Sequence, residues 1–421
     1  MKRSGLEKAS MVQEGTLIVT VDIGVTSNHG YCTAADGRSS KTFKFENTRD
    51  GYDALWTMVV ASKAAFGCDE IIVGYESTGP YGEPLIHYLK QKPVKIVQVN
   101  PMHTKKMKEI NDNSPLKTDN KDPRVIADII RVGHALSVIV PEGDMAYLRR
   151  LNNARERHVR ERTALLNQLQ QFVFLTFPEF TRVLKTIFSK TALYILKKYT
   201  TPARIASANR DELGEEMMRL SRNKFRPRDA AALIRFARST VGIQEGVQGL
   251  VMDIQHILLQ LEMLHGFIAA IEDEMESTLK RIPYSQSLLG IKGFGIATVA
   301  GLIGEIGDFT KFKTQSEITK LAGLNLYEVS SGNSRGQRRI SKRGRSLLRK
   351  ILYYAAVQTV RKNGIMYDYY QRLLGRGMKN MMALVAVARK LLRIVFAMVR
   401  DHTEFIMNYS NQPKQIIKEA A

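Results

Sequence analysis

The chain has 421 residues, 44% of them hydrophobic, which is enough for two or three domains with cores of their own. Lys and Arg number 63 against 41 Asp and Glu, and the resulting formal net charge of +22 favours a polyanionic partner such as nucleic acid. Two cysteines, Cys32 and Cys68, without zinc-ligand spacing exclude a disulfide framework and fit a reducing cytoplasm. The polar start of the chain and the lack of a run of roughly 20 apolar residues predict neither a signal peptide nor a membrane span.

The first third of the sequence predicts a mixed α/β domain, because short β-branched runs alternate with helical spacing. Predicted strands cover residues 16–24, 30–35, 41–45, 70–75 and 94–99, and predicted helices cover 49–66, 80–90 and 123–132. The order is three strands, helix, strand, helix, strand, helix. This is the order of a ribonuclease-H-like α/β domain.

The remainder of the chain is predicted to be mostly helical. Two long polar helices with narrow apolar seams, at about 145–177 and 247–280, predict an antiparallel coiled-coil arm. Glycine returns from residue 282, and two further helices are predicted at 345–362 and 379–399. We therefore expect a catalytic domain at 1–140, a helical arm at 141–280 with a basic, unplaced insertion at about 181–240, a C-terminal domain at 281–410 and a tail at 411–421.

Four acids are placed where a metal site would need them. Asp22 ends the first buried strand, Glu76 ends the fourth, and Asp119 and Asp122 precede the last helix of the domain. Each alone has an ordinary explanation as a turn residue or a helix cap. In a ribonuclease-H-like sheet the first and fourth strands are neighbours and the last helix crosses that edge, so the four carboxylates would meet. They would repel one another without divalent cations, and their oxygens select Mg²⁺ or Mn²⁺. Two such ions about 4 Å apart can clamp a phosphodiester.

Six segments carry a resemblance to a known family: VDIG, YESTGPY, KTDNKD, GIKGFGIATVAGLIGEIGDFTKF, LAGLNLYEVSSGNSRGQRRISKRGR and MALVAVARKLLRIV. Together they resemble the DEDD transposases of bacterial insertion sequences, the insertion-sequence-one-ten family that includes the Piv DNA invertase. The similarity covers nearly the whole chain apart from residues 181–240 and the tails. It implies that the four acids form the tetrad of a RuvC-like domain and that the protein moves an insertion sequence by site-specific strand exchange. One departure is Pro123, where a small helix-forming residue is expected, so Asp122 should be placed less regularly.

Ser331 is a candidate nucleophile. It lies in the glycine- and serine-rich segment VSSGNSRG, which by itself is typical of a flexible surface turn. The resemblance implies that a serine directly before a glycine attacks DNA and forms a transient covalent link. Such a hydroxyl needs activation, which the metal-bound acids would supply. Ser331 matches because it precedes Gly332, and Ser330 and Ser334 are its rivals.

Two features predict contacts with nucleic acid. Residues 288–305 have a helix–hairpin–helix pattern in which glycines let backbone N–H groups approach a phosphate; a tight turn between packed helices is the alternative. A run of basic residues without any acid follows Ser331, where a phosphate clamp competes with a merely solvated face. The predicted contact residues are Gly293, Gly295, Arg335, Arg338, Arg339, Lys342, Arg343 and Arg345.

The resemblance also implies partners. These are donor and target DNA, a structured guide RNA encoded by the element, and further copies of the chain. The guide RNA would recognise DNA sequence by base pairing. In a dimer or tetramer, Ser331 of one protomer would serve the acids of another. The expected location is the cytoplasm of a bacterial or archaeal cell, at the nucleoid and without a membrane. Three alternatives remain: a Holliday-junction resolvase that hydrolyses DNA with water, a DNA invertase without guide RNA, and a non-catalytic nucleic-acid-binding scaffold whose acids are structural.

Overall fold

The computed structural model describes residues 12–76, 79–112, 122–137, 140–328 and 338–405. The chain forms two compact units, Met1–Ile139 and Val140–Ala421. The first unit is a mixed α/β unit, as predicted, and the second is mostly helical, also as predicted. A finer division of the second unit into an arm and a C-terminal domain stays a prediction.

The first unit contains a six-stranded sheet. Its strands are Thr16–Asp22 (β1), Ser27–Ala34 (β2), Phe43–Glu46 (β3), Glu70–Glu76 (β4), Lys95–Val99 (β5) and Leu136–Ser137 (β6). Their spatial order is β3-β2-β1-β4-β5-β6. Strands β1, β4 and β5 run parallel, whereas β2, β3 and β6 pair antiparallel with their neighbours. The first and fourth strands are therefore adjacent, which confirms the neighbourhood that the sequence predicted.

Within the described residues, four α-helices accompany this sheet: Arg49–Phe66 (α1), Glu83–Leu89 (α2), Pro101–Asp112 (α3) and Asp122–Arg131 (α4). Helix α1 has the predicted bounds because both of its ends are encoded locally. The Thr48 side chain accepts a hydrogen bond from the Gly51 N–H, and Gly67 ends the helix at φ 61°. A 3₁₀ turn at Gly79–Gly82 takes the first part of the predicted second helix. Helix α3, which is polar, and strand β6 were not predicted.

Helix α4 covers one face of the sheet and packs its apolar stripe against β1, β4 and β5. The stripe consists of Val125, Ile126, Ile129 and Ile130, at spacings that share one helical face. The approach is close at Gly74, where an added Cβ would lie 2.1 Å from the Ile130 Cδ1. This contact seats α4 against the centre of the sheet.

The described part of the second unit consists of thirteen α-helices, a 3₁₀ turn at Phe309–Lys311 and one short hairpin. The helices are Gly143–Thr176 (α5), Phe180–Val183 (α6), Lys190–Tyr199 (α7), Pro202–Ala206 (α8), Arg210–Leu220 (α9), Pro227–Arg238 (α10), Val247–Leu279 (α11), Ser285–Leu289 (α12), Ile296–Ile306 (α13), Gln315–Leu321 (α14), Ser346–Thr359 (α15), Tyr367–Gly375 (α16) and Asn380–Arg400 (α17). Strands Leu326–Tyr327 (β7) and Arg339–Ile340 (β8) pair antiparallel. Helices α14 and α16 were not predicted.

The two long helices, α5 and α11, pack against each other in antiparallel directions. Near the start of α5, the Arg155 guanidinium lies 2.6 Å from the Glu272 carboxylate of α11. Near its end, Leu169 shares a core with Ile254. Helices α6 to α10, which hold the segment that the sequence could not place, add Phe180 and other apolar residues to that same core. The two long helices therefore pack antiparallel and the basic insertion is helical, whereas a coiled-coil arm stays a prediction.

Helix α11 differs from expectation in one respect. Within the described residues it is long and apolar enough to cross a membrane by length and composition, whereas the sequence analysis predicts no membrane span. Several of its apolar side chains belong to the protein core instead: Ile254, Ile257 and Leu261 are buried in the core that α11 shares with α5. Length and composition alone are weak grounds for a membrane span.

Helix α13 packs so closely against α5 that there is no room for a side chain at two of its glycines. An added Cβ at Gly304 would lie 2.6 Å from the backbone N of Arg149, and one at Gly301 would lie 3.0 Å from the Oδ1 of Asn152. Glycines in the second half of the segment 288–305 therefore serve helix packing, because no side chain fits between these two helices.

Candidate active site

Asp22 and Glu76 lie side by side at one edge of the sheet. The parallel register pairs Val21 of β1 with Tyr75 of β4, and the two acids are the next residue on each strand. Registered residues of parallel strands point to the same face, and Thr20 and Asp22, two residues apart, share that face as well. Both carboxylates are half-buried. The edge therefore presents two acids on one face of the sheet.

Asp122 is held next to this pair by the first turn of α4. The Thr20 hydroxyl donates a hydrogen bond of 2.6 Å to the Pro123 carbonyl, which fixes the start of α4 two residues from Asp22 along β1. Asp122 is the first residue of the helix, and it is 6% exposed. The proline that follows therefore does not displace Asp122, since proline is well accommodated in the first turn of a helix.

The other two acids act electrostatically on Glu76. Burial raises the pKa of Glu76, and the carboxylates of Asp22 and Asp122 raise it further. The hydroxyl of Thr104 and the ammonium of Lys108 oppose the shift. A partly buried carboxyl among like charges gains from any nearby cation.

The structure supplies one such cation that the sequence did not single out. Lys108, on α3, places its Nζ 2.5 Å from Oδ1 of Asp122, and its side chain is 28% exposed. The ammonium thus neutralises the most buried of the three carboxylates. Sequence reasoning missed Lys108 because it missed α3; Pro101 directly after a strand was the available signal for a helix start.

The three acids offer the donor chemistry of a hard divalent cation, since all are carboxylates with an excess of negative charge. Within the described part of the chain, however, no three His, Cys, Asp or Glu side chains lie close enough together to hold a metal ion. The fourth acid, Asp119, lies outside the described residues. A site for Mg²⁺ or Mn²⁺ therefore stays a prediction, and Asp122 is paired with Lys108 in the structure.

The candidate nucleophile cannot be located in the same way. Ser331, its rivals Ser330 and Ser334, and Arg335 fall in the segment between β7 and β8, outside the described residues. Their predicted roles stay predictions.

The predicted glycine hairpin lies between α12 and α13. Gly293 has a φ of +104°, which favours glycine, and a Cβ there would lie 3.1 Å from Cγ2 of Thr359. Gly295 precedes the first residue of α13, and a Cβ there would meet nothing within 4 Å. Both glycines are exposed, and contact with a phosphate remains a prediction for both.

The basic run divides into exposed and structural members. Arg339 and Arg343 are exposed, as is Lys342, which has a φ of +54°. Arg338 is exposed but pairs with Glu328 at 2.9 Å. In contrast, the Arg345 guanidinium donates to the backbone carbonyl of Glu305 on α13. Arg345 thus has a structural role in the fold, and the four exposed cations are the better placed members of the predicted set.

Comparison with known protein families gives two matches. A family model for DEDD transposases of the IS110 type, described as Transposase, matches residues 19–178. A second model, described as Transposase IS116/IS110/IS902 family, matches residues 285–371. The first match spans the four predicted acids. The second spans the glycine hairpin, Ser331 and the basic run.

Individual relatives agree with these matches. The chain is similar to the insertion element IS110 uncharacterized 43.6 kDa protein of Streptomyces coelicolor, with 26% identity over 91% of this chain and 94% of the relative. It is 28% identical to the insertion element IS116 uncharacterized 44.8 kDa protein of Streptomyces clavuligerus, over 69% of this chain and 72% of the relative. It is 26% identical to the insertion element IS900 uncharacterized 42 kDa protein of Mycobacterium paratuberculosis, over 69% of this chain and 73% of the relative. The chain belongs to the IS116/IS110/IS902 family of transposases.

Proposed function

We propose that this protein cuts and exchanges DNA strands to move an insertion sequence, using a carboxylate site at the edge of its sheet. The observation that carries the proposal is the placement of Asp22 and Glu76 on adjacent parallel strands, beside the buried Asp122. This is the arrangement that a ribonuclease-H-like, specifically RuvC-like, domain needs, and the strand order supports that fold. Family membership makes DNA the substrate, and the net charge of +22 agrees with a polyanion.

The four acids would together form the metal site. Asp22, Glu76, Asp119 and Asp122 would hold Mg²⁺ or Mn²⁺, which supplies Lewis-acid stabilisation of the phosphodiester charge when bound. The strand ends fix Asp22 and Glu76, whereas the first turn of α4 fixes Asp122 through the bond between Thr20 and Pro123. A rigid carboxylate frame orients the scissile phosphate, so little reorganisation is needed during reaction.

The remaining parts of the proposed reaction rest on the family resemblance. Ser331 would attack the phosphorus, forming a phosphoserine bond while the bond to a deoxyribose oxygen breaks and that oxygen takes a proton. A structured guide RNA encoded by the element would choose donor and target DNA by pairing. A dimer or tetramer would bring Ser331 of one protomer to the acids of another. The reaction would take place in the cytoplasm, at the nucleoid.

A strand-exchange assay tests the proposal as a whole. Purified protein with its co-purifying RNA, donor DNA that carries the element ends, target DNA and Mg²⁺ should yield joined donor–target strands, and EDTA should abolish the products. Sequencing the co-purifying RNA tests guidance. Free nicked junctions without joining would favour a hydrolytic resolvase, and joining without RNA would favour an invertase-like reaction. Binding without any strand cleavage would contradict the proposal in favour of a scaffold.

Lys108 provides a prediction about metal binding that needs no DNA. Because its ammonium pairs with Asp122, a cation must displace it, so Lys108→Met should tighten Mn²⁺ binding by about 3- to 10-fold. Without metal, the variant should lose about 1–3 kcal/mol of unfolding free energy, because the buried carboxylate has lost its partner. Saturating Mn²⁺ should restore most of that loss.

Electron paramagnetic resonance of free Mn²⁺ and urea unfolding measure these effects. Lys106→Met is the matched control, since Lys106 lies on the same helix and is exposed. Equal Mn²⁺ affinity in the Lys108 and Lys106 variants would show that Lys108 does not compete with the metal. Absence of any Mn²⁺ binding, even by the unmodified chain, would contradict the metal site itself.

A further inference from the structure

A cluster of cations lies around one tyrosine in the second unit, outside the basic run that the sequence singled out. We name it the Tyr369 cluster; its members, from α16 and α17, are Tyr369, Arg372, Arg389, Lys390 and Arg393. The Lys390 Nζ lies 4.1 Å from the ring centroid of Tyr369, and the Arg372 guanidinium lies 5.9 Å from the same centroid. Two cations therefore share one aromatic ring.

The positive charges of the cluster act on one another. Burial lowers the pKa of Arg389 and of Lys390, and the charge of Arg393 lowers both further. Arg372 also lowers the pKa of Lys390. Among the described residues, the groups that shift these two pKa values are other cations and Tyr369, without a carboxylate among them.

Other cations of the same unit are compensated differently. Lys198 lies within 2.8 Å of Glu212 and 2.7 Å of Glu216, and Arg281 lies 2.6 Å from Asp144. In the Tyr369 cluster, by contrast, the Nε of Arg389 is buried and, within the described part of the chain, has no hydrogen-bond partner. The Nε of Arg393 donates to the neutral Oε1 of Gln315 at 2.8 Å.

Partly desolvated cations that repel one another destabilise a fold unless an anion neutralises them. Four cations on two adjacent helices match a ligand with repeated negative charges better than a single carboxylate. Guanidinium groups bind phosphate oxygens with two parallel N–H groups. Tyr369 keeps Lys390 in place from one side, while Arg372 and Arg393 remain exposed to solvent.

We propose that the Tyr369 cluster is a binding site for the phosphodiester backbone of nucleic acid. The inference rests on the proposed function, which makes nucleic acid the substrate, and it adds the place on the chain where the backbone is held. Backbone contacts of this type position a nucleic acid and contribute affinity without reading its sequence. The cluster was missed in the sequence because Arg389, Lys390 and Arg393 interrupt an otherwise apolar helix, where a basic face looks ordinary.

The test is binding of the full chain to labelled nucleic acid in EDTA over a series of salt concentrations, followed by fluorescence anisotropy. One arm uses duplex DNA of random sequence and the other a structured RNA. The variant with Arg372→Gln, Lys390→Gln and Arg393→Gln should bind about 30-fold more weakly, and the slope of log K against log salt should fall by about two to three.

A matched control removes the same charge elsewhere in the unit. Lys185→Gln, Lys190→Gln and Arg204→Gln replace three exposed cations, and this variant should lose less than about threefold in affinity. Should the cluster variant fail to fold, Arg393→Gln alone, at an exposed position, should still lower the slope by about one.

The outcomes separate the inference from the function on which it rests. A loss confined to DNA or to RNA supports the site and identifies its ligand. Equal losses in the cluster and control variants, or no loss in the cluster variant, would overturn the site while leaving the proposed function intact. If the unmodified chain bound neither nucleic acid, the proposed function would fail together with the site.

Discussion

Replacing Asp22 by Asn or Glu76 by Gln should abolish DNA strand cleavage while the protein remains folded. Each change keeps the shape of the side chain but removes a negative charge that a divalent cation needs. Loss of about 4 kcal/mol of transition-state stabilisation corresponds to a rate lower by about 10³-fold. Burial raises the pKa of Glu76, so the metal-free fold does not favour the negative charge of this side chain.

Stability measurements distinguish this loss from unfolding. Without metal, both variants should be as stable as the unmodified protein or slightly more stable, because repulsion among the carboxylates is relieved. Asp128→Asn is the matched control: this residue of α4 is 42% exposed and lies 3.5 Å from Arg131, so cleavage should be unchanged. Normal recombination by the Asp22→Asn protein would refute the assignment of these acids to a metal site.

The second large effect concerns Ser331. If its hydroxyl attacks DNA, a denaturing gel should show protein joined covalently to a DNA end during the reaction. The phosphoserine link should survive detergent and disappear on protease treatment. Ser331→Ala should remove the adduct completely, because no other atom of that side chain can form the bond. Asp22→Asn should also prevent adduct formation, since a neutral hydroxyl is a weak nucleophile without activation.

The neighbouring serines are the controls for this experiment. Ser330→Ala and Ser334→Ala should retain adduct. Adduct that persists in Ser331→Ala but disappears in Ser330→Ala would keep the covalent mechanism and move the nucleophile by one residue. Full activity without adduct in all three variants would refute serine catalysis, and water would then be the nucleophile at the carboxylate site.

The sequence by itself determined those features whose signals are local or strongly periodic. Helical spacing predicts α1 with its observed bounds, and Thr48 and Gly67 cap its two ends in the structure. The buried strands β1 and β4 were recognisable from their β-branched residues, and the acids at their ends followed. The motifs around Asp22, Glu76 and Ser331 were sufficient to predict the transposase family, which the family matches confirm.

Other features depend on contacts between residues distant in the chain, and only the tertiary structure decided them. Lys108 pairs with Asp122 because helices α3 and α4 pack against each other. The sequence does not predict α3, since this polar helix has no strong apolar stripe and is stabilised by tertiary packing. In the sequence Arg345 is one more cation of a basic run. In the structure its guanidinium donates a hydrogen bond to the carbonyl of Glu305, 40 residues away along the chain. The Tyr369 cluster is assembled in the same way, because charges on two helices become neighbours only when those helices pack. The sequence determines which positions carry a charge, whereas the tertiary structure determines which residue compensates that charge.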